Sequence, residues 1–149
     1  MYLDSGILVK LLTVEPDSEF FVRELAGQPV TTSELAQTEV FSALLARERA
    51  GKISGRDRQR AWREFSDRVT AGEFRIEPLN PIVQRKARQL LERCHPAVPL
   101  RTLDALHLAT VDLCQDFPLV TTDARLRDAA VMAGFPLFPP AETTPAPTH

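Results

Sequence analysis

The chain is short of cysteine, of glycine and of uninterrupted apolar sequence, and each shortage removes a class of function. Two cysteines occur in 149 residues, Cys94 and Cys114. They are not spaced as CxxC, and neither lies near a histidine cluster that could complete a zinc site, so both are expected as reduced thiols. Six glycines leave no glycine-rich loop to cradle a nucleotide's phosphates. No apolar run approaches the ~18 residues of a membrane span, and the apolar start has no basic signal-peptide front. A cytoplasmic protein without membrane contact is the expectation. Positive charge is not in excess either. The net charge of −2 sets up no global attraction for nucleic acid, so any such contact must be local. What remains is ordinary soluble composition, 44% hydrophobic and 26% charged, in a chain long enough for one core without staples.

The pattern along the chain alternates strand and helix. Met1–Leu3 reads as a short buried strand, followed by helix over Gly6–Leu12 and again over Ser18–Leu25. A brief strand, Val30–Thr31, precedes a helix capped by Ser33 and running to about Ala50. Ser54-Gly55-Arg56-Asp57 has capping-box form and opens a helix with Trp62, Phe65 and Val69 inward. Phe74–Leu79 alternates as a strand. Asn80 followed by Pro81 is a cap with proline at the first helical position, starting a helix to about Arg93. Helix over Thr102–Cys114, strand over Pro118–Thr122, helix over Asp123–Ala133 and a last strand, Pro136–Phe138, complete the series. Residues 1–138 are expected as one domain, and 139–149, rich in Pro, Thr and Ala, as a disordered tail. Alternation of this kind implies an α/β fold, a short parallel sheet flanked by α-helices on both faces. Ligands in such sheets bind beyond the carboxyl ends of the strands.

Four acids occupy places where charge is costly. Asp4 ends the first strand, Glu39 interrupts an apolar helical stripe of Leu35, Ala43 and Ala46, Asp104 lies in a first helical turn, and Asp123 follows a later strand. A buried unpartnered carboxylate costs several kcal/mol, roughly. Asp104 and Asp123 could each serve only a helix N-terminus, and Glu39 could reach water from the edge of its stripe. Asp4, directly after a buried strand, has no comparable structural role in prospect. Convergence of all four on a divalent cation explains them together. An all-oxygen donor set suits Mg²⁺ or Mn²⁺ and not zinc or copper. Such an ion can make a bound water nucleophilic and share the charge of a phosphate.

Other residues stand near these acids. Ser5 and Thr122 could bond a carboxylate, a metal water or a phosphate, with cap duty as the plainer role. His107 is expected as a hydrogen-bonded packing residue in preference to a catalytic base, and Asp128 as a solvent-facing acid. Lys10 is the nearest candidate for a phosphate contact. Arg47, Arg49, Lys52, Arg56, Arg58, Arg60 and Arg63 form a basic concentration that is either a nucleic-acid surface or a solvated face paired with Glu48, Asp57 and Glu64.

Tyr2-Leu3-Asp4-Ser5-Gly6-Ile7-Leu8-Val9-Lys10-Leu11, the mid-helix Glu39, Leu103-Asp104-Ala105-Leu106-His107-Leu108-Ala109 and Val120-Thr121-Thr122-Asp123-Ala124-Arg125-Leu126 resemble the PIN-domain family, and within it the VapC toxins of type II toxin–antitoxin pairs. The resemblance runs from Met1 to about Phe138. It implies a Mg²⁺- or Mn²⁺-dependent endoribonuclease, usually dimeric, neutralised by a VapB-type antitoxin. It also implies that Asp4, Glu39, Asp104 and Asp123 are the acidic pocket, with Asp4 and Asp104 the direct metal ligands and the other two binding directly or through water. Gly6 stands where family members often carry a small polar residue, a departure that leaves the acids untouched. The alternatives are a PIN nuclease outside a toxin pair and a catalytically silent scaffold that binds RNA or a partner. An aspartyl-nucleophile phosphatase would want a second Asp at position 6, and a receiver domain would want a late lysine, whereas no lysine follows Lys86.

Overall fold

The computed structural model describes residues 1–141; of the tail expected over 139–149, residues 142–149 lie outside the described residues. The elements run β1 (Tyr2–Leu3), α1 (Ser5–Leu12), α2 (Ser18–Glu24), β2 (Val30–Ser33), α3 (Leu35–Arg49), α4 (Gly55–Thr70), β3 (Phe74–Glu77), α5 (Pro81–Cys94), α6 (Thr102–Cys114), β4 (Leu119–Val120), α7 (Ala124–Ala133) and β5 (Leu137–Phe138). The strands form one sheet in the order β3-β2-β1-β4-β5, and every pairing is parallel. Chain order therefore reverses direction between β1 and β4, the switch point at which open parallel sheets hold ligands.

Two residues of β1 are enough to serve both faces, because successive strand side chains point opposite ways. Leu3 joins a core with Val120, Val30 and Phe74, covered by Ile7 and Leu8 of α1, Phe21 of α2, Val40 and Leu44 of α3 and Phe65 of α4. Tyr2 faces the other way with Leu119, against Val83 and Leu90 of α5, Leu108 of α6 and Leu126 of α7. The result is the expected helix–sheet–helix sandwich.

Local sequence explains most boundaries. Asn80 Oδ1 accepts from the amides of Ile82 at 3.0 Å and Val83 at 3.1 Å, with Pro81 in the first turn. Ser54 and Asp57 form the capping box of α4. Ser33 departs from expectation. It stays in β2, which pairs with β3 through to Glu77, and its hydroxyl accepts from the Leu35 amide at 3.1 Å. The buried stripe of α3 is accordingly Ala36, Val40 and Leu44, one residue offset from the stripe expected from Leu35, Ala43 and Ala46. Glu39 borders that stripe, where it is neither buried in it nor opposite to it.

The cap at Asn80 is separable from the rest of the fold. Asn80→Ala is expected to lower the unfolding free energy by about 1 kcal/mol, read from the midpoint of a urea melt at unchanged slope.

Candidate active site at the carboxyl edge of the sheet

Asp4 leaves β1 directly into α1. Its Oδ1 accepts from the Ile7 amide at 2.9 Å, so Asp4 is the N-cap of α1. This corrects the expectation of no structural role for Asp4, because α1 begins at Ser5 and not at Gly6. Its other oxygen, Oδ2, accepts from the hydroxyl of Thr121, just past β4. The Thr121 oxygen in turn accepts from the Asp123 amide at 3.1 Å. Thr121 thus joins the ends of the two central strands, and it is fully buried. The expectation fell on its neighbour Thr122, which is exposed. A strand of only two residues leaves the in–out parity of the following positions unset, and that is why Thr121 was missed. Ser5 is half-buried in the first position of α1.

Asp123 caps α7, its Oδ1 accepting from the Leu126 amide at 2.9 Å. Asp104, in the first turn of α6, accepts from the Arg101 amide at 3.3 Å. Three helix N-termini therefore each hold one of the acids, where free N–H groups and the helix dipole favour negative charge. This support does not remove the cost of gathering them. Burial pushes the Asp4 carboxyl above the usual carboxylate range, against the bonds from Thr121 and Ile7, and the charge of Asp123 pushes the same way. Burial followed by the charge of Asp123 also raises Asp104, opposed by the Arg101 amide and the Arg125 guanidinium.

Glu39 reaches this edge from the opposite helical layer. Its Oε1 lies 2.5 Å from His107 Nε2, and His107 Nδ1 lies 2.7 Å from the Tyr2 hydroxyl. His107 is buried and bonded through both ring nitrogens, as a packing histidine should be. Burial also holds the Tyr2 phenol well above its ordinary value, so it remains protonated. Asp128 is exposed. Lys10 differs from expectation: its ammonium lies 2.7 Å from Asp17 and 3.3 Å from Glu15. The turn between α1 and α2 folds these acids back onto it, so the charge expected to meet phosphate is satisfied internally. The expected basic concentration is likewise partly consumed, Arg47 by Glu15, Arg58 by Glu48 and Arg60 by Asp57.

Asp4 and Asp104 each feel the charge of Asp123, without the acids forming a closed cage. Among the described residues, no three His, Cys, Asp or Glu side chains form a group able to hold an ion by themselves. That still fits a hydrated divalent cation. Mg²⁺ keeps several waters and takes only one or two carboxylates directly, and every donor here is oxygen. A cleft of about 720 Å³ opens at the other edge of the sheet, beside Met1 and Pro29. Its charged groups are paired with one another, Arg75 with Asp116 and Arg68 with Glu73.

The PIN domain model matches residues 1–132. The chain belongs to the PIN-domain family. Ribonuclease VapC46 of Mycobacterium tuberculosis is 34% identical to it over 149 residues, 95% of this chain and 98% of the relative, which supports the VapC resemblance. Among solved structures, M. tuberculosis VapC20, described as a sarcin–ricin loop cleaving toxin, superposes with a TM-score of 0.69 at 20% identity, over 90% of this chain and 95% of that one. FitAcB from Neisseria gonorrhoeae gives 0.65 at 16% identity, over 92% and 95%. These two likenesses establish the fold. No helix among the described residues is long and apolar enough to cross a membrane.

The raised carboxyls have a measurable consequence in the metal-free protein. A folded pKa above the unfolded one penalises folding fully above the folded pKa, and the penalty fades as pH falls through it toward the unfolded value. Asp104→Asn keeps an acceptor for the Arg101 amide and removes the charge. In EDTA at pH 7 it is expected to melt a few degrees above wild type, with the gap closing as the pH is lowered. Equal melting points at pH 7 would show that the charge on Asp104 carries no folding penalty.

Proposed function

We propose that the protein is a Mg²⁺-dependent endoribonuclease, Mn²⁺ substituting, and the toxic member of a type II toxin–antitoxin pair. The observation that carries this reading is the joining of Asp4 and Asp123 through Thr121 at the β1–β4 switch point, with Asp104 raised by the charge of Asp123. An oxygen-only anionic cluster at that edge suits a divalent cation and, through it, a phosphodiester. Similarity to a ribonuclease over nearly the whole chain supplies RNA as the substrate class.

Asp4 and Asp104 are the residues that would hold the cation directly, with Glu39 and Asp123 acting directly or through its waters. A bound Mg²⁺ supplies a water acidic enough to attack at neutral pH and a positive charge opposite the phosphate. The chain's own part is to hold these oxygens in place. Thr121 and the Ile7 amide each use one lone pair of Asp4 and leave one on each oxygen. The partly exposed Glu39 and the exposed Asp123 can orient a water or accept its proton. Ser5 and the exposed Thr122 lie where a hydroxyl can reach a phosphate, and Lys10 can serve RNA only by leaving Asp17 and Glu15.

The partner in this reading is a VapB-type antitoxin, and the protein acts as a cytoplasmic homodimer. An anionic pocket attracts a basic side chain, so the antitoxin is expected to place an Arg or Lys against the acids. A structure of the complex with no cation of the partner near Asp4, Glu39, Asp104 or Asp123 would refute that contact.

Cleavage of an RNA oligonucleotide in Mg²⁺ is expected to stop in EDTA. Asp4→Asn keeps the shape and the cap. It is expected to lower kcat/KM about a thousand-fold, the equivalent of several kcal/mol of lost charge stabilisation, with an unchanged circular dichroism spectrum. Wild-type cleavage by this variant, or in EDTA, would overturn the mechanism. Growth arrest on expression of the wild type, relieved by co-expression of the neighbouring antitoxin and absent for Asp4→Asn, separates a toxin from a nuclease outside such a pair.

A further inference from the structure

Glu39 and His107 come from opposite helical layers, 68 residues apart in the chain, yet lie 2.5 Å apart. Tyr2, at the start of the central strand, holds the other ring nitrogen at 2.7 Å. An ionised carboxylate only accepts hydrogen bonds, so the hydrogen in the first contact belongs to Nε2. In the neutral ring Nδ1 is then an acceptor, and the Tyr2 hydroxyl donates to it. Both ring nitrogens are satisfied in this one tautomer. The ring is packed edge-on against Tyr2, with centroids 5.9 Å apart and planes at 73°, which leaves it little rotational freedom. Glu39 Oε1 is thereby occupied, while Oε2 makes no hydrogen bond among the described residues.

We propose that His107 is a positioning residue: with its ring fixed by Tyr2, it binds Glu39 Oε1 and so presents Oε2 to the cation or its water. This rests on the reading of the carboxyl-edge acids as a cation site. His107 itself has no free nitrogen for proton transfer to substrate. Its contribution is the orientation of a carboxylate that reaches the site from α3, on the far side of the sheet from α6. A partner that orients a metal-binding group commonly changes metal affinity or activity 10–100-fold when removed.

Three variants separate positioning from packing. His107→Leu fills much of the space and removes the donor. His107→Gln returns an amide N–H near the position of Nε2. Tyr2→Phe keeps the aromatic shape and frees the ring. Mn²⁺ binding is measured by calorimetry on the protein without RNA, alongside the Mg²⁺ concentration that half-activates cleavage. His107→Leu is expected to weaken Mn²⁺ binding about 10–100-fold and to raise half-activating Mg²⁺ equally, with much of the rate recovered at saturating metal. His107→Gln should recover most of the affinity, and Tyr2→Phe should shift it in the same direction as His107→Leu but less. Added to Glu39→Gln, His107→Leu should cost little more, because both remove the same oriented oxygen. Unchanged Mn²⁺ affinity in folded His107→Leu would overturn the proposal. If that variant does not fold, unchanged affinity in Tyr2→Phe overturns it instead. Failure of the wild type to bind Mn²⁺ would refute the cation site itself, and the proposal with it.

Discussion

Like charges held near one another at the carboxyl edge of the sheet are the constraint on which the rest of the arrangement depends. Asp4, Asp104 and Asp123 each stand at the beginning of a helix, where unpaired amides and the positive end of the dipole meet a carboxylate. Asp4 has the further bond from Thr121. These donors make the cluster tolerable without making it comfortable, since burial and Asp123 still raise both Asp4 and Asp104. The two N-caps, Asp4 and Asp123, could be served as well by serine or threonine, which carry no charge. Carboxylates at all three positions, with one of them buried, make sense when a cation completes the balance. The repulsion among the carboxylates would then be relieved by the cation and add to its affinity.

The sheet sets the geometry of that cluster with very little sequence. β1 contributes two residues and β4 two, and both are paired in register, Tyr2 with Leu119 and Leu3 with Val120. Alternation sends Leu3 and Val120 into one core and Tyr2 and Leu119 into the other, so each strand is pinned from both sides. A one-residue slip would exchange these side chains between the cores. Asp4 and Thr121, one step past the ends of the two strands, inherit that register. The polar series from Tyr2 through His107 to Glu39 does for the two helical layers what Thr121 does for the two strands. It ties one layer's contribution to the edge to the other's.

Much of this was legible in the sequence, for reasons that can be named. The acids after β1 and β4 follow from topology, since an aspartate at the end of a buried parallel strand lies at the ligand-binding edge. Asn80-Pro81 and the Ser54–Asp57 box are local signals, and local signals survive into the fold. What escaped depended on how separate elements and turns fold against one another. Glu39 was readable as misplaced, but its bond to His107 spans 68 residues. Lys10 looked free because nothing in α1 reveals that the turn before α2 brings Glu15 and Asp17 against it. The stripe of α3 was misjudged by one residue because Ser33 reads equally as a cap and as a strand residue. Pairing with Glu77 of β3 decided for the strand.

The distribution of positive charge follows the same economy. Lys10, Arg47, Arg58 and Arg60 pair with acids of their own layer, while Arg49, Lys52, Arg56 and Arg63 make no ion pair among the described residues. The exposed pairs are weak, since partners in water gain little from one another. They also compete with a polyanion on nearly equal terms, because exchanging a carboxylate for a phosphate changes the solvation little. Arg125 is different, for it acts on Asp104 across the start of α7 without closing an ion pair. An arginine at the rim of an anionic cluster lowers the repulsion felt by an approaching phosphate. A chain with a net charge of −2 can therefore bind RNA only where such local compensation exists. In the proposed reading that condition is met at the carboxyl edge of the sheet, where the Arg125 guanidinium acts beside the acids, whereas at the amino edge Arg75 and Arg68 are already paired.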